Sequence, residues 1–131
     1  MSAPLSPVGS LNLAVVAGVV SRSPRWRTLP SGDVLLHMEV RTQRAGERAD
    51  TVPVAVFGPS RALERLREGS EVVVLGRVQR RFFTAGGQTR SRTQITADRV
   101  VPAGHGRRAA SLLERARASL AEAMATQPDR A

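Results

Sequence analysis

The sequence predicts an all-β domain: a small closed barrel of five strands, with a short helix inserted before the fourth and a further helix on the C-terminal side. Two observations point there. Five runs rich in Val, Leu, Ile and Thr are separated by Gly, Pro, Ser and Asp turn chemistry, and a leucine-bearing segment with helix start and stop signals lies between the third and fourth runs. At 131 residues the chain has room for one core and an appendage, not for two full domains.

Residues 1–10, MSAPLSPVGS, are rich in Pro, Ser and Gly and read as a flexible N-terminal segment. Strands are expected over 11–22, 33–44, 51–57, 71–84 and 89–101. Their boundaries are Leu29-Pro30-Ser31-Gly32-Asp33, Ala45-Gly46-Glu47 and Ala85-Gly86-Gly87. From Pro59 to Gly69, a proline near the start, leucines three apart and a glycine past the end mark the short helix. Three strands, a helix and two strands is the order of an OB-fold, a Greek-key barrel that leaves little sheet edge exposed. Gly18 and Gly76 interrupt apolar runs where barrel closure needs a bend. The barrel domain is thus expected over 11–102, followed by a linker at 103–106, an amphipathic helix at 107–126 and a tail at 127–131. Leu112, Leu113, Ala116, Leu120, Ala123 and Met124 form one stripe of that helix. It can pack on its own barrel, on a sister subunit or on another protein.

Strand parity sorts the barrel faces, because alternate side chains point to opposite sides. With Val72, Val74 and Val78 inward, Arg77, Gln79, Arg81 and Phe83 face out. Val52, Val54 and Val56 are inward against Pro53, Ala55 and Phe57 outward, and Leu36, Met38 and Val40 inward against His37, Glu39 and Arg41 outward. Phe82 has inward parity and is assigned to the core. Arg80 shares that parity, which requires a bulge or a strand that has left the barrel. A turn at Gly86-Gly87 pairs Phe83 with Arg90, Arg81 with Arg92, Gln79 with Gln94 and Val78 with Ile95. Arg81 opposite Arg92 costs about 0.2–1 kcal/mol as a like-charge pair, and a phosphate between them reverses the sign.

The formal net charge is +9 and all 20 basic residues are arginine, a bias that a GC-rich coding sequence would also produce. A guanidinium both forks onto a phosphate and stacks on a base, so a polyanion is the expected partner. Between Val72 and Val101 six arginines face one acid, Asp98. A second cluster, Arg25 and Arg27 with Arg22, surrounds Trp26, which either stacks on bases or packs on the barrel rim. Phe57 either stacks or is covered by the helix beginning at Pro59. The residues expected to carry DNA binding are Arg25, Trp26, Arg27, Arg41, Phe57, Arg77, Arg81, Phe83, Arg90 and Arg92.

Enzymatic chemistry is not expected. There is no Cys, the two histidines His37 and His105 have no metal-site spacing, and no Gly-rich phosphate loop follows a strand, so neither a metal nor another cofactor is implied. The longest apolar run, Leu13 to Val20, is too short for a bilayer and has no basic stretch before it, so no membrane association and a cytoplasmic location are expected.

Several pieces, in order, carry a family resemblance: Asn12-Leu13-Ala14-Val15-Val16-Ala17-Gly18-Val19-Val20, Ser23-Pro24-Arg25, Pro30-Ser31-Gly32, Val54-Ala55-Val56-Phe57-Gly58, the stretch from Leu66 to Arg77, and Arg81 to Thr84. Over residues 11–102 the chain resembles the bacterial single-stranded DNA-binding proteins. The resemblance implies an OB-fold that wraps single-stranded DNA, a homotetramer or else a dimer, a nucleoid-associated location, and service in replication, repair, recombination or DNA uptake. It also implies base-stacking roles for Phe57 and Phe83. Thr51 stands where a stacking Trp is common in the family, the region Arg44 to Arg48 lacks another, and the chain ends Gln127-Pro128-Asp129-Arg130-Ala131 where an acidic tip is usual. These departures keep open an alternative, an OB-type protein-interaction module whose partner docks through the C-terminal helix. RNA is a further candidate ligand.

Overall fold

The computed structural model describes residues 10–102, 104 and 106–125. The expected flexible segment before Ser10, half of the linker and the tail lie outside these residues. Six strands form where five are expected: β1 Ala14–Val20, β2 Arg25–Thr28, β3 Val34–Thr42, β4 Asp50–Phe57, β5 Glu71–Ala85 and β6 Gln88–Pro102. The additional strand is β2, the exposed sequence RWRT. It has no alternation of apolar residues because it covers no core. Its backbone pairs along β3 from Arg25↔His37 to Thr28↔Val34, and charged side chains are typical of such an edge.

The pairings return on themselves. β1 pairs β5, β5 pairs β6, β6 pairs β4, β4 pairs β3 and β3 pairs β1, all antiparallel except β4 with β6. One edge of β3 is shared, with β2 taking Val34 to His37 and β1 taking Val40 and Arg41. Gly18 and Gly76 sit at the tightest approaches of this ring. A Cβ on Gly18 would collide with the Arg41 carbonyl oxygen, and one on Gly76 with that of Thr96.

Inside lie Leu36, Met38, Val40, Val54, Val56, Val72 and Val74, the inward sets of three strands, with Ile95 of β6. Leu63 and Leu66 close one end. The helix expected between Pro59 and Gly69 is a single five-residue 3-10 turn, Arg61–Arg65. Three residues per turn brings leucines spaced by three onto one side, and a longer 3-10 run has poor hydrogen-bond geometry.

A second cluster lies outside the ring. Val73, Leu75 and Val101, the outward residues of β5 and β6, are covered by Leu112 and Ala116 of α1, Gly106–Ala125. Of the expected stripe, Leu113, Leu120 and Met124 remain exposed: Leu113 is not on the side docked through Leu112 and Ala116, and Leu120 and Met124 lie beyond those docked residues along the helix. Burying one leucine of this kind stabilises the docking by about 1.5–3 kcal/mol.

The register shifts between Leu75 and Gly76, after which β5 and β6 run on together as a long hairpin. Two core assignments fail there. Val78 is 48% exposed and Phe82 is 67% exposed. Both keep inward parity, but beyond the bulge β4 pairs β6 only from Ile95 to Ala97, so their side of the hairpin has no core beneath it. Arg80 is exposed for the same reason and reaches over the Phe82 ring at 5.9 Å. Asn12 holds the hairpin base, its side-chain amide donating to the Val78 carbonyl and its oxygen accepting from the Val78 N–H, at 2.7 and 2.8 Å.

Candidate nucleic-acid interface

The hairpin turn at Gly86 and Gly87 has φ of 58° and 77°, the left-handed pair that a two-residue loop matching strand twist requires. It sets the pairs Phe83↔Arg90, Arg81↔Arg92, Gln79↔Gln94 and Val78↔Ile95, as the sequence predicts. Each arginine of the like-charged pair finds a different partner. Arg92 reaches the Glu39 carboxylate at 3.9 Å, and Arg81 lies over the Phe57 ring with its guanidinium carbon 5.5 Å from the centroid.

Below the hairpin, register builds a floor in rows across the strands. One row runs Arg25, His37, Ala55, Thr96, Arg77, and the next Arg27, Leu35, Phe57. Phe57, Phe83, Arg25, Arg27, Arg77, Arg81, Arg90 and Arg92 therefore occupy one side of the sheet, with the Phe57 and Phe83 rings each nearly half exposed. Phe57 is not covered by the segment that follows it. The buried polar residues within this face are satisfied by their neighbours: the Gln94 amide donates to the Thr96 hydroxyl at 3.2 Å, and that hydroxyl donates to Gln79 at 2.5 Å.

The field of this face is visible at His37. Partial burial lowers its affinity for a proton, and Arg92, Arg25, Arg27 and Arg81 lower it further, so the imidazole is neutral at pH 7. Carboxylates are sparse: Glu39 pairs Arg22 at 3.5 Å and Asp98 pairs Arg77 at 3.5 Å.

Two expected site residues stand apart. Trp26 pairs with Leu36, so its ring lies on the side of β2 away from Arg25 and Arg27. Arg41 shares the outward parity of His37 but sits at the far end of β3, where β1 joins. Conversely, the fold gathers residues that sequence reasoning left out. Arg22 and His37 join Arg25 and Arg92 around one cleft, and Arg99 and Arg108 line a larger one, about 380 Å³, that opens beside Phe57. Outward parity flagged His37; its arginine neighbours come from segments far apart in the chain. Among the described residues no group of His, Asp or Glu could hold a metal ion, and no helix is long and apolar enough to cross a membrane.

A sequence model described as the single-strand binding protein family matches residues 11–102. One curated relative, the single-stranded DNA-binding protein of Deinococcus radiodurans, is 30% identical over 108 residues, covering 75% of this chain. The chain spans 36% of that relative's length.

Proposed function

The chain belongs to the bacterial single-strand binding protein family, and on that premise we propose that it binds single-stranded DNA, with little regard to sequence, on the face shared by the β5–β6 hairpin and the floor beneath it. The observation that carries the reading is the meeting of Phe57 of β4 and Arg81 of β5, with Phe83, Arg90 and Arg92 alongside. Bases stack on such rings for about 1–3 kcal/mol each whatever their identity, and arginines take the phosphates between them. Arg25, Arg27 and Arg77 extend the positive floor; Trp26 and Arg41 are peripheral to it.

We read the ring β1–β3–β4–β6–β5 as an OB-type Greek-key barrel, with β2 an added ribbon. Residues 11–102 would form the binding domain and α1 an accessory element. Homo-oligomerisation and service in replication, repair, recombination or uptake belong to the same proposal. The test is fluorescence anisotropy of a labelled oligothymidylate against RNA and duplex DNA over a salt titration. Tight, salt-sensitive binding of the single strand is expected; no preference over duplex would remove the stacking component.

A second reading rests on one observation. Leu113, Leu120 and Met124 form an exposed apolar stripe of α1, the kind of surface through which a protein partner docks. Under it, substitutions on this stripe would abolish partner capture and leave DNA binding intact.

A further inference from the structure

A second cleft, about 140 Å³, opens on the arginine face, bounded by the β1–β2 connection, β3, β4 and the hairpin. Its polar lining is Arg22, Ser23, Arg25, His37, Glu39 and Arg92. Arg25 and His37 are cross-strand partners, so their side chains stand next to one another. Glu39, two residues along the same side of β3, ties down Arg22 at 3.5 Å and Arg92 at 3.9 Å from opposite flanks. Three guanidinium groups thus converge with one carboxylate between them, leaving an excess of two positive charges before His37 is counted. The space is well below the roughly 300–1,000 Å³ of pockets that enclose small organic ligands. It suits a tetrahedral oxyanion with its first waters. Arg92 also belongs to the hairpin row beside Phe83 and Arg90, so a strand stacked on those platforms passes the mouth of the cleft.

We infer that this cleft seats one phosphodiester group of the bound single strand, gripped by Arg22, Arg25 and Arg92, with His37 as a fourth donor and Glu39 positioning the arginines. The inference rests on the single-strand-binding reading and adds to it a defined phosphate position and two residues, Arg22 and His37. It carries a proton-linked consequence. In the free protein His37 is neutral at pH 7 because it is partly buried and faces Arg25 and Arg27 of β2, Arg81 of β5 and Arg92 of β6; the facing residues of β4, Pro53 and Ala55, carry no charge. Glu39 on its own strand is shared with Arg22 and Arg92. A phosphate in the cleft cancels the arginine field and favours the imidazolium, which then donates from both ring nitrogens. Binding therefore takes up a proton, and affinity rises as pH falls.

The test is anisotropy of a labelled oligothymidylate at fixed ionic strength for wild type, Arg22→Ala and His37→Gln, from about pH 8 to about pH 6, the range in which imidazole titrates. Wild-type affinity is expected to rise by at most about tenfold per pH unit, the limit for one linked proton. His37→Gln should flatten that dependence. Arg22→Ala, at an exposed side chain that leaves folding alone, should weaken binding about tenfold at low salt and reduce the salt slope by about one. If wild type binds and both variants match it in affinity, salt slope and pH dependence, the cleft is not a phosphate site and the wider reading survives. If wild type fails to bind the single strand, both fall.

Discussion

The guanidinium of Arg81 lies over the ring of Phe57, 5.5 Å from its centroid, and so couples the tip-ward half of the β5–β6 hairpin to the outer face of β4. At an exposed site such a contact contributes about 0.5–1 kcal/mol. That is weak enough for an incoming base to share the ring and strong enough to keep the arginine poised over it in the free protein.

Phe57→Ala is therefore expected to weaken binding of a labelled oligothymidylate by about 1–3 kcal/mol, or about 5- to 150-fold. The melting temperature should fall by only a few degrees, because Phe57 is 42% exposed and its arginine contact contributes about 0.5–1 kcal/mol. Anisotropy and a melting curve on the same preparation check both halves.

Arg81→Ala should lower affinity and also reduce the slope of log K against log salt by about one, whereas Phe83→Ala should lower affinity and leave the slope in place. Salt titrations of both variants separate charge from stacking. A double-mutant cycle of Arg81 with Phe57 in chemical denaturation should return a coupling of about 0.5–1 kcal/mol.

The hairpin is legible in the sequence because a two-residue glycine loop sets both register and parity: Phe83 falls opposite Arg90 by counting alone. Parity says which way a side chain points, not what lies beneath it. Parity alone therefore places Phe82 and Val78 in the core, whereas both are exposed because the strands that would bury them end before the hairpin does. β2 was illegible because Arg-Trp-Arg-Thr has no alternation to detect; its order comes from backbone pairing to β3 and the Leu29–Asp33 turn, where the Leu29 N–H donates to the Asp33 carbonyl at 2.8 Å. Leu63 and Leu66 announced a helical face, but their spacing of three fits a 3-10 turn as well as an α-helix. The Arg22–His37–Arg92 cleft has no local signal, because three segments must fold before it exists.

Gly18→Ala and Gly76→Ala are expected to destabilise the fold by about 1–3 kcal/mol each, since an added methyl group must displace backbone at Arg41 or Thr96. Urea unfolding measures the loss. A substitution at Gly104, where a Cβ meets no neighbour, is the matched control.

Stability should also carry the mark of His37. The folded protein holds this imidazole below its ordinary value, so the unfolded chain binds the proton first as pH falls. Unfolding free energy should then be insensitive to His37 well above about pH 6.5 and decline as pH drops through and below that value. Urea titrations of wild type and His37→Gln at either side of this range should differ only on the acid side.

Leu112→Ala should cost about 2–5 kcal/mol and release α1 from Val73, Leu75 and Val101, while Leu113→Ala on the exposed side should cost little. Hydrogen exchange across Gly106–Ala125 reads the difference directly.

The most direct test compares a single strand with a duplex of equal length at moderate salt, in wild type and in the Phe57→Ala, Phe83→Ala double variant. Wild type is expected to hold the single strand more tightly, and the double variant to lose most of that preference while retaining its salt-sensitive attraction to both. Equal affinity of wild type for the two, or a preference untouched by removal of both rings, would mean that charge alone accounts for binding and that unpaired bases do not lie across Phe57 and Phe83.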